Sequence, residues 1–234
     1  MQIVTDYAAD ISPEQLEGLE VHYLPLTITI DGKLYRSGVD ITPTEFYELQ
    51  VKAKEIPTTS QPSPGDFADL YRNLAKKDPD ILSIHISSGL SGTVNAARLG
   101  ASAVPEANVE IYDTKTLSGA EGWHVEVAAK AVRAGLDKSR ILSLLRQVTE
   151  TTETLFTLST LKYLIHGGRI SHLKGLLASL LTIKPIRYHE GLRASWYLDT
   201  SWYLDIDNGP LFASPIYRVI KREGDSSGRH STSP

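Results

Sequence analysis

Between residues 81 and 104 the chain spells out one strand–turn–helix unit, and that unit constrains the fold more than any other stretch. Ile81-Leu82-Ser83-Ile84-His85-Ile86 is a short, mostly apolar run, which reads as a strand buried inside a sheet. It stops at Ser87-Ser88-Gly89-Leu90-Ser91-Gly92-Thr93, and an alanine-rich helical stretch follows to about residue 104. The alternation recurs. Ile3-Val4-Thr5 ends at Asp6, and Val109-Glu110-Ile111-Tyr112 ends at Asp113, ahead of helical stretches over residues 117–134 and 138–149. Strands alternating with helices imply an α/β fold whose N-terminal sheet is largely parallel and flanked by helices.

Local signals fill in the rest. Ser12-Pro13-Glu14-Gln15 and Thr42-Pro43-Thr44-Glu45 each place a capping residue before proline, with a partner that can close a capping box. Residues 21–30 are strand-like, and Asp31-Gly32 is a hairpin turn signal. Residues 57–65 hold three prolines, so regular structure is not expected there. Residues 63–66 then cap a third helix.

From Thr154 the texture changes. Leu155-Phe156-Thr157-Leu158 reads as a strand, and Leu161-Lys162-Tyr163-Leu164-Ile165 as a short helix stopped by Gly167-Gly168. A very apolar helix over residues 173–181 and a strand beginning Ile183-Lys184-Pro185-Ile186 follow. The expected division is an α/β domain over 1–152 and a smaller α+β domain over 153–223. A polar, serine-rich tail over 224–234 is expected to be disordered. Ser195-Trp196-Tyr197-Leu198-Asp199 returns as Ser201-Trp202-Tyr203-Leu204-Asp205, and two copies are too few for a solenoid.

Composition narrows the chemistry. The 234 residues include no cysteine, which removes disulfides, thiolate nucleophiles and thiolate metal sites together. A net charge of -4 gives no electrostatic reason to expect nucleic acid. No run approaches the ~20 apolar residues of a transmembrane helix, and residues 1–6 do not resemble a signal peptide. A cytoplasmic location is expected. Histidines and carboxylates show no recognisable metal spacing, so neither metal nor cofactor is expected.

Three segments can carry function. Ser88 to Thr93 sits where a parallel strand hands over to a helix, the ligand-binding end of open α/β sheets. Gly89 and Gly92 permit close backbone approach, and Ser91 at the helix start either meets an anion or simply caps the helix. The segment is neither a nucleophile elbow nor a P-loop. His85 is a packed core residue or a general base for Ser91. Thr59 and Ser60 stand on a proline-rigid loop, where they either hold a ligand or only connect elements. Arg169, on the glycine turn, either grips a carboxylate or phosphate bidentately or forms a surface ion pair.

Together these segments resemble the DegV family. The resemblance rests on Ile3-Val4-Thr5-Asp6, Thr59-Ser60-Gln61-Pro62-Ser63, Ser87-Ser88-Gly89-Leu90-Ser91-Gly92-Thr93, residues 161–171 with their Gly-Gly-Arg-Ile-Ser end, and Leu181-Thr182-Ile183-Lys184-Pro185-Ile186. It implies a non-enzymatic carrier that holds a long-chain fatty acid between two domains and presents its carboxylate to a fatty acid kinase subunit. Thr59 and Ser91 are then the implied head-group contacts, with Ser60, Ser88, Gly92 and Arg169 as secondary candidates. Family members usually have serine where this chain has Tyr7, and the likeness fades beyond about Gly191, so an incomplete second domain is expected. The rival readings are a small phosphotransferase or hydrolase using Ser91, His85 and Asp113, and a remnant that binds nothing.

Overall fold

A computed structural model describes residues 1–156, 160, 162–169, 187–188 and 217–221 of the chain. The helix expected over 173–181, the strand over 183–186, the Ser-Trp-Tyr-Leu-Asp repeat and the tail over 224–234 lie outside the described residues. The chain opens with strands β1 (Gln2–Asp6), β2 (Val21–Leu24), β3 (Thr27–Ile30) and β4 (Lys33–Arg36), then helix α1 (Pro43–Lys52). It continues through β5 (Thr58–Ser60), α2 (Pro64–Ala75), β6 (Asp80–His85), α3 (Thr93–Ser102), β7 (Asn108–Asp113), α4 (Ser118–Arg133) and α5 (Lys138–Thr151). β8 (Thr152–Phe156), α6 (Lys162–His166), β9 (Arg187–Tyr188) and β10 (Tyr217–Lys221) complete the described elements.

The architecture is α/β. Four parallel strands in the order β2-β1-β6-β7 form the main sheet. Strand alternation sends Ile3, Leu82 and Ile84 to one face, where they meet Val125 of α4 and Ile141 and Leu145 of α5. Val4 and Ile81 go to the other face and pack on Phe67 and Tyr71 of α2 and Ala97 of α3. Each large apolar side chain buried this way contributes roughly 1.5–3 kcal/mol, so both faces need their helices. The helices begin where the sequence says they should. Thr42 with Glu45 and Ser63 with Asp66 form reciprocal capping boxes behind proline, and the Asp137 side chain caps α5.

Two small antiparallel sheets accompany the main one. In the first, β4-β3-β5, Ile28 and Ile30 pack with Ile41 against Phe46 and Leu49. Asp31 and Gly32 both take positive φ, 47° and 80°, across the β3–β4 hairpin, as a two-residue turn of that hand requires. The second is β10-β8-β9.

Three expectations need correction. Residues 21–30 are two strands in two sheets, because Pro25 lacks the N–H a continuous strand would donate there. The turn begun by Ser12 does close its box with Gln15, but only one short 3-10 turn, Glu14–Leu16, results. Residues 57–65 are not wholly irregular: Thr58–Ser60 pairs with Thr27–Thr29 of β3. The prolines at 57, 62 and 64 all lie outside those three residues, so none interrupts the ladder.

Candidate functional site

The carboxyl end of β6 turns sharply into α3. Leu90 and Ser91 both send their amides to the carbonyl of Ser87, at 2.9 and 3.1 Å, while the Ser87 hydroxyl accepts from the Gly89 amide. Ser87 is itself fully buried and donates its amide to the carbonyl of Thr116. This tight turn leaves Ser88 and Gly92 exposed and Ser91 half-buried. The Ser91 hydroxyl accepts from the Thr93 amide at 3.3 Å and bonds the Thr93 hydroxyl at 2.8 Å. It therefore supports the first turn of α3, whose N-cap position belongs to Gly92.

Beside this turn the Ser88 amide donates to Asp113, and Lys115 reaches both Asp113 and the Ser88 hydroxyl. Burial works against the Asp113 charge, but donors from Lys115 and Ser88 outweigh it and hold this carboxyl below the usual range. The rim of the turn thus carries a paired ion, one exposed serine and two exposed glycines, Gly89 and Gly92.

Below the turn lies a line of buried polar groups. His85 is fully buried, with its Nδ1 2.9 Å from Asp6 Oδ2 and its Nε2 2.7 Å from the Ser83 hydroxyl. Ser83 in turn meets the Tyr71 hydroxyl at 2.8 Å, and Phe67 stands edge-on to the imidazole. Both ring nitrogens are occupied, so His85 is a core residue and no general base for Ser91. Asp113, engaged with Ser88 and Lys115, does not orient it either. The proposed hydrolase triad is not assembled.

The proline-flanked segment approaches from β5. Gln61 lies over Gly92, close enough that a Cβ built on that glycine would fall 2.9 Å from Gln61 Nε2. The loop bearing Thr59 and the start of α3 therefore meet. Thr59 stands opposite Ile28 in register, while Thr58 and Ser60 project to the other face of the small sheet. All three are exposed, and the Thr59 and Ser60 hydroxyls have no hydrogen-bond partner among the described residues. A cleft of about 330 Å³, lined by Thr29, Asp31, Thr58 and His166 among others, joins this strand to the end of α6. Arg169 follows on the glycine turn, where Gly168 has φ 73°, and folds back to donate to the Gly167 carbonyl at 2.9 Å.

Gln61 escaped the sequence reading, although it sits inside the very segment singled out. So did Glu121, a fully buried acid on α4. A glutamate in an alanine-rich helix gives no local sign that tertiary packing will bury it.

Comparisons with known proteins give a consistent result. A family model described as an uncharacterised protein of the DegV family matches residues 1–194. A DegV domain-containing protein of Staphylococcus aureus (strain N315) is 41% identical over 184 residues, which cover 79% of this chain and 65% of that protein. The chain thus spans just under two thirds of that relative. Among solved structures, a fatty-acid-binding DegV family protein from Thermus thermophilus superposes with TM-score 0.74 at 35% identity, covering 84% of this chain and 70% of the other. DegV from Bacillus subtilis, a fatty acid binding protein, gives 0.76 at 33% identity, covering 82% and 68%.

Proposed function

This chain belongs to the DegV family, and from that premise we propose that it binds a long-chain fatty acid and is a carrier rather than an enzyme. Thr59 and Ser91 hold the carboxylate, and Ser60, Ser88, Gly92 and Arg169 lie around it. The single observation that carries this reading is the contact of Gln61 with Gly92, which sets the hydroxyl-bearing loop against the start of α3. The T. thermophilus and B. subtilis proteins bind fatty acids, and both exceed 30% identity with this chain.

The chemistry suits a carboxylate. Hydroxyl and amide donors at a helix start stabilise an anion without committing a full positive charge. A head held this way is released without stranding a buried ion-pair partner, a loss worth about 3–5 kcal/mol. That favours presentation of the carboxylate to a partner kinase subunit. In this reading residues 1–152 supply the head-group loops and residues 153–223 cover the acyl chain. No helix among the described residues is long and apolar enough to cross a membrane, and the carrier is proposed to act in the cytoplasm.

Mass spectrometry of an organic extract of the purified chain tests the proposal. Near-stoichiometric long-chain fatty acid is the expected result. An empty protein that also fails to take up added oleic acid would refute it.

A further inference from the structure

The turn that carries Ser88 and Ser91 stands on a buried acid pair. Asp6 closes β1 and accepts three hydrogen bonds: from the Ala8 amide and His85 Nδ1, both at 2.9 Å, and from the Ile86 amide at 3.4 Å. Glu121 of α4 stands over the turn that follows Asp6, since its neighbour Gly122 packs against the Ala9 carbonyl, and Asp6 and then Asp10 are the acids whose charges act on it. It is fully buried, and neither of its carboxyl oxygens has a hydrogen-bond partner at normal geometry among the described residues; the Ile86 amide, bonded to Asp6, is its nearest donor. Asp10 is engaged by the Ser118 hydroxyl at 2.6 Å. Tyr23 is the other titratable neighbour, and its hydroxyl also lacks a partner among the described residues.

Two carboxyl groups side by side in a dry site do not both ionise. The proton goes to the one with fewer donors. Asp6 has three, whereas the donor nearest Glu121 is the Ile86 amide that Asp6 also accepts, so the proton belongs on Glu121. Burial, reinforced by the charges of Asp6 and Asp10, pushes the Glu121 carboxyl well above its ordinary range, in keeping with that assignment.

We propose that Glu121 is a neutral acid whose hydroxyl donates to Asp6, and that the buried chain Glu121–Asp6–His85–Ser83–Tyr71 is the positioning device for the Ser87–Thr93 turn. One proton order gives every donor in the chain an acceptor. The Glu121 hydroxyl and the His85 Nδ1–H donate to Asp6, Ser83 donates to Nε2, and Tyr71 donates to Ser83. Asp6 then holds the Ile86 amide, the last residue before the turn. The other end of the chain lies on α2, which begins at Pro64, directly after the segment bearing Thr59 and Gln61. The device therefore ties together both halves of the proposed head-group site, and its functional meaning rests on that fatty-acid reading.

The test uses the full chain and has two readouts that need no ligand. Isotope-edited infrared spectra at neutral pH should show a protonated-carboxyl stretch that disappears in Glu121→Gln. Glu121→Gln keeps a donor to Asp6, so amide exchange at residues 86–93 should stay within about threefold of the parent, whereas Asp6→Asn should speed it roughly tenfold or more. Should Asp6→Asn not fold, Tyr71→Phe breaks the chain at its far end and should give a smaller acceleration in the same amides. Absence of the infrared band, or exchange in that turn unmoved by Asp6→Asn or its substitute, would overturn the proposal. Oleic acid affinity supplies the third arm, retained in Glu121→Gln and weakened in Asp6→Asn. If the parent protein bound no oleic acid while both spectroscopic results held, the fatty-acid reading would fall and the wiring of the turn would stand.

Discussion

The two halves of the proposed site are built in opposite ways. The Ser87–Thr93 turn is wired into the core: Ser87 is buried, and His85, Ser83 and Asp6 beneath it have no exposure at all. The Thr58–Ser60 strand is an exposed three-residue ladder held to β3 by backbone pairing. The difference teaches where energy is stored. Changes in the buried groups beneath the turn should register first as lost stability, whereas changes in the strand should register only in what the protein binds.

The largest effect is expected under the turn. Phe67 is fully buried and stands edge-on to His85, so Phe67→Ala should cost about 3–5 kcal/mol in urea unfolding. A loss under 1 kcal/mol would show that the turn does not lean on this core.

A pH effect comes next. His124 is buried on the opposite face and bonded to the Ala120 carbonyl and the Thr149 hydroxyl. Burial, opposed by the Ala120 bond, lowers its pKa to about 4 from an ordinary 6.5. The unfolded chain therefore binds the extra proton between those values. The stability that neutral His124 contributes is complete above pH 6.5 and is lost as the pH falls toward 4, by up to about 3 kcal/mol. Glu121 acts with the opposite sign: its raised pKa makes stability decline as pH rises above the ordinary carboxyl range. The two slopes offset each other between about pH 4.5 and 6.5, so stability should fall more with rising pH in His124→Gln than in the parent. An unchanged slope would contradict the assignment.

Gly100 gives a smaller effect. A Cβ there would meet Phe67 Cβ at 2.5 Å and the Pro64 carbonyl oxygen at 2.8 Å, so α2 and α3 must part. Gly100→Ala should cost about 1–3 kcal/mol. Gly92→Ala would meet only the flexible end of Gln61, and should alter ligand affinity more than stability.

The smallest stability change belongs to the strand. Thr59→Ala should shift unfolding by no more than about 0.5 kcal/mol, yet weaken oleic acid binding by roughly tenfold or more through loss of a charge-assisted bond. Equal losses of stability and affinity would erase the contrast between the halves.

Much of the fold was legible because it is written locally. Capping boxes at Thr42 and Ser63, the Asp31-Gly32 turn and the apolar run at 81–86 each act within a few residues. The short strand at Thr58–Ser60 was not, since its partner lies about thirty residues away and three exposed polar residues carry no hydrophobic pattern. In the proposed site, Ser91 and Thr59 stood out by their motifs. Glu121 and the directed contacts of His85 did not, because burial and pairing across α4, β1 and β6 are tertiary facts. His85 illustrates the limit: alternation placed it in the strand, but only the packed sheet shows both its nitrogens engaged.

The most direct test is a double-mutant cycle on oleic acid affinity, using Thr59→Ala, Ser91→Ala and the pair. Two hydroxyls gripping one carboxylate should show a coupling of about 0.5–3 kcal/mol, whereas strict additivity within about 0.3–0.5 kcal/mol would mean that they do not share a ligand head.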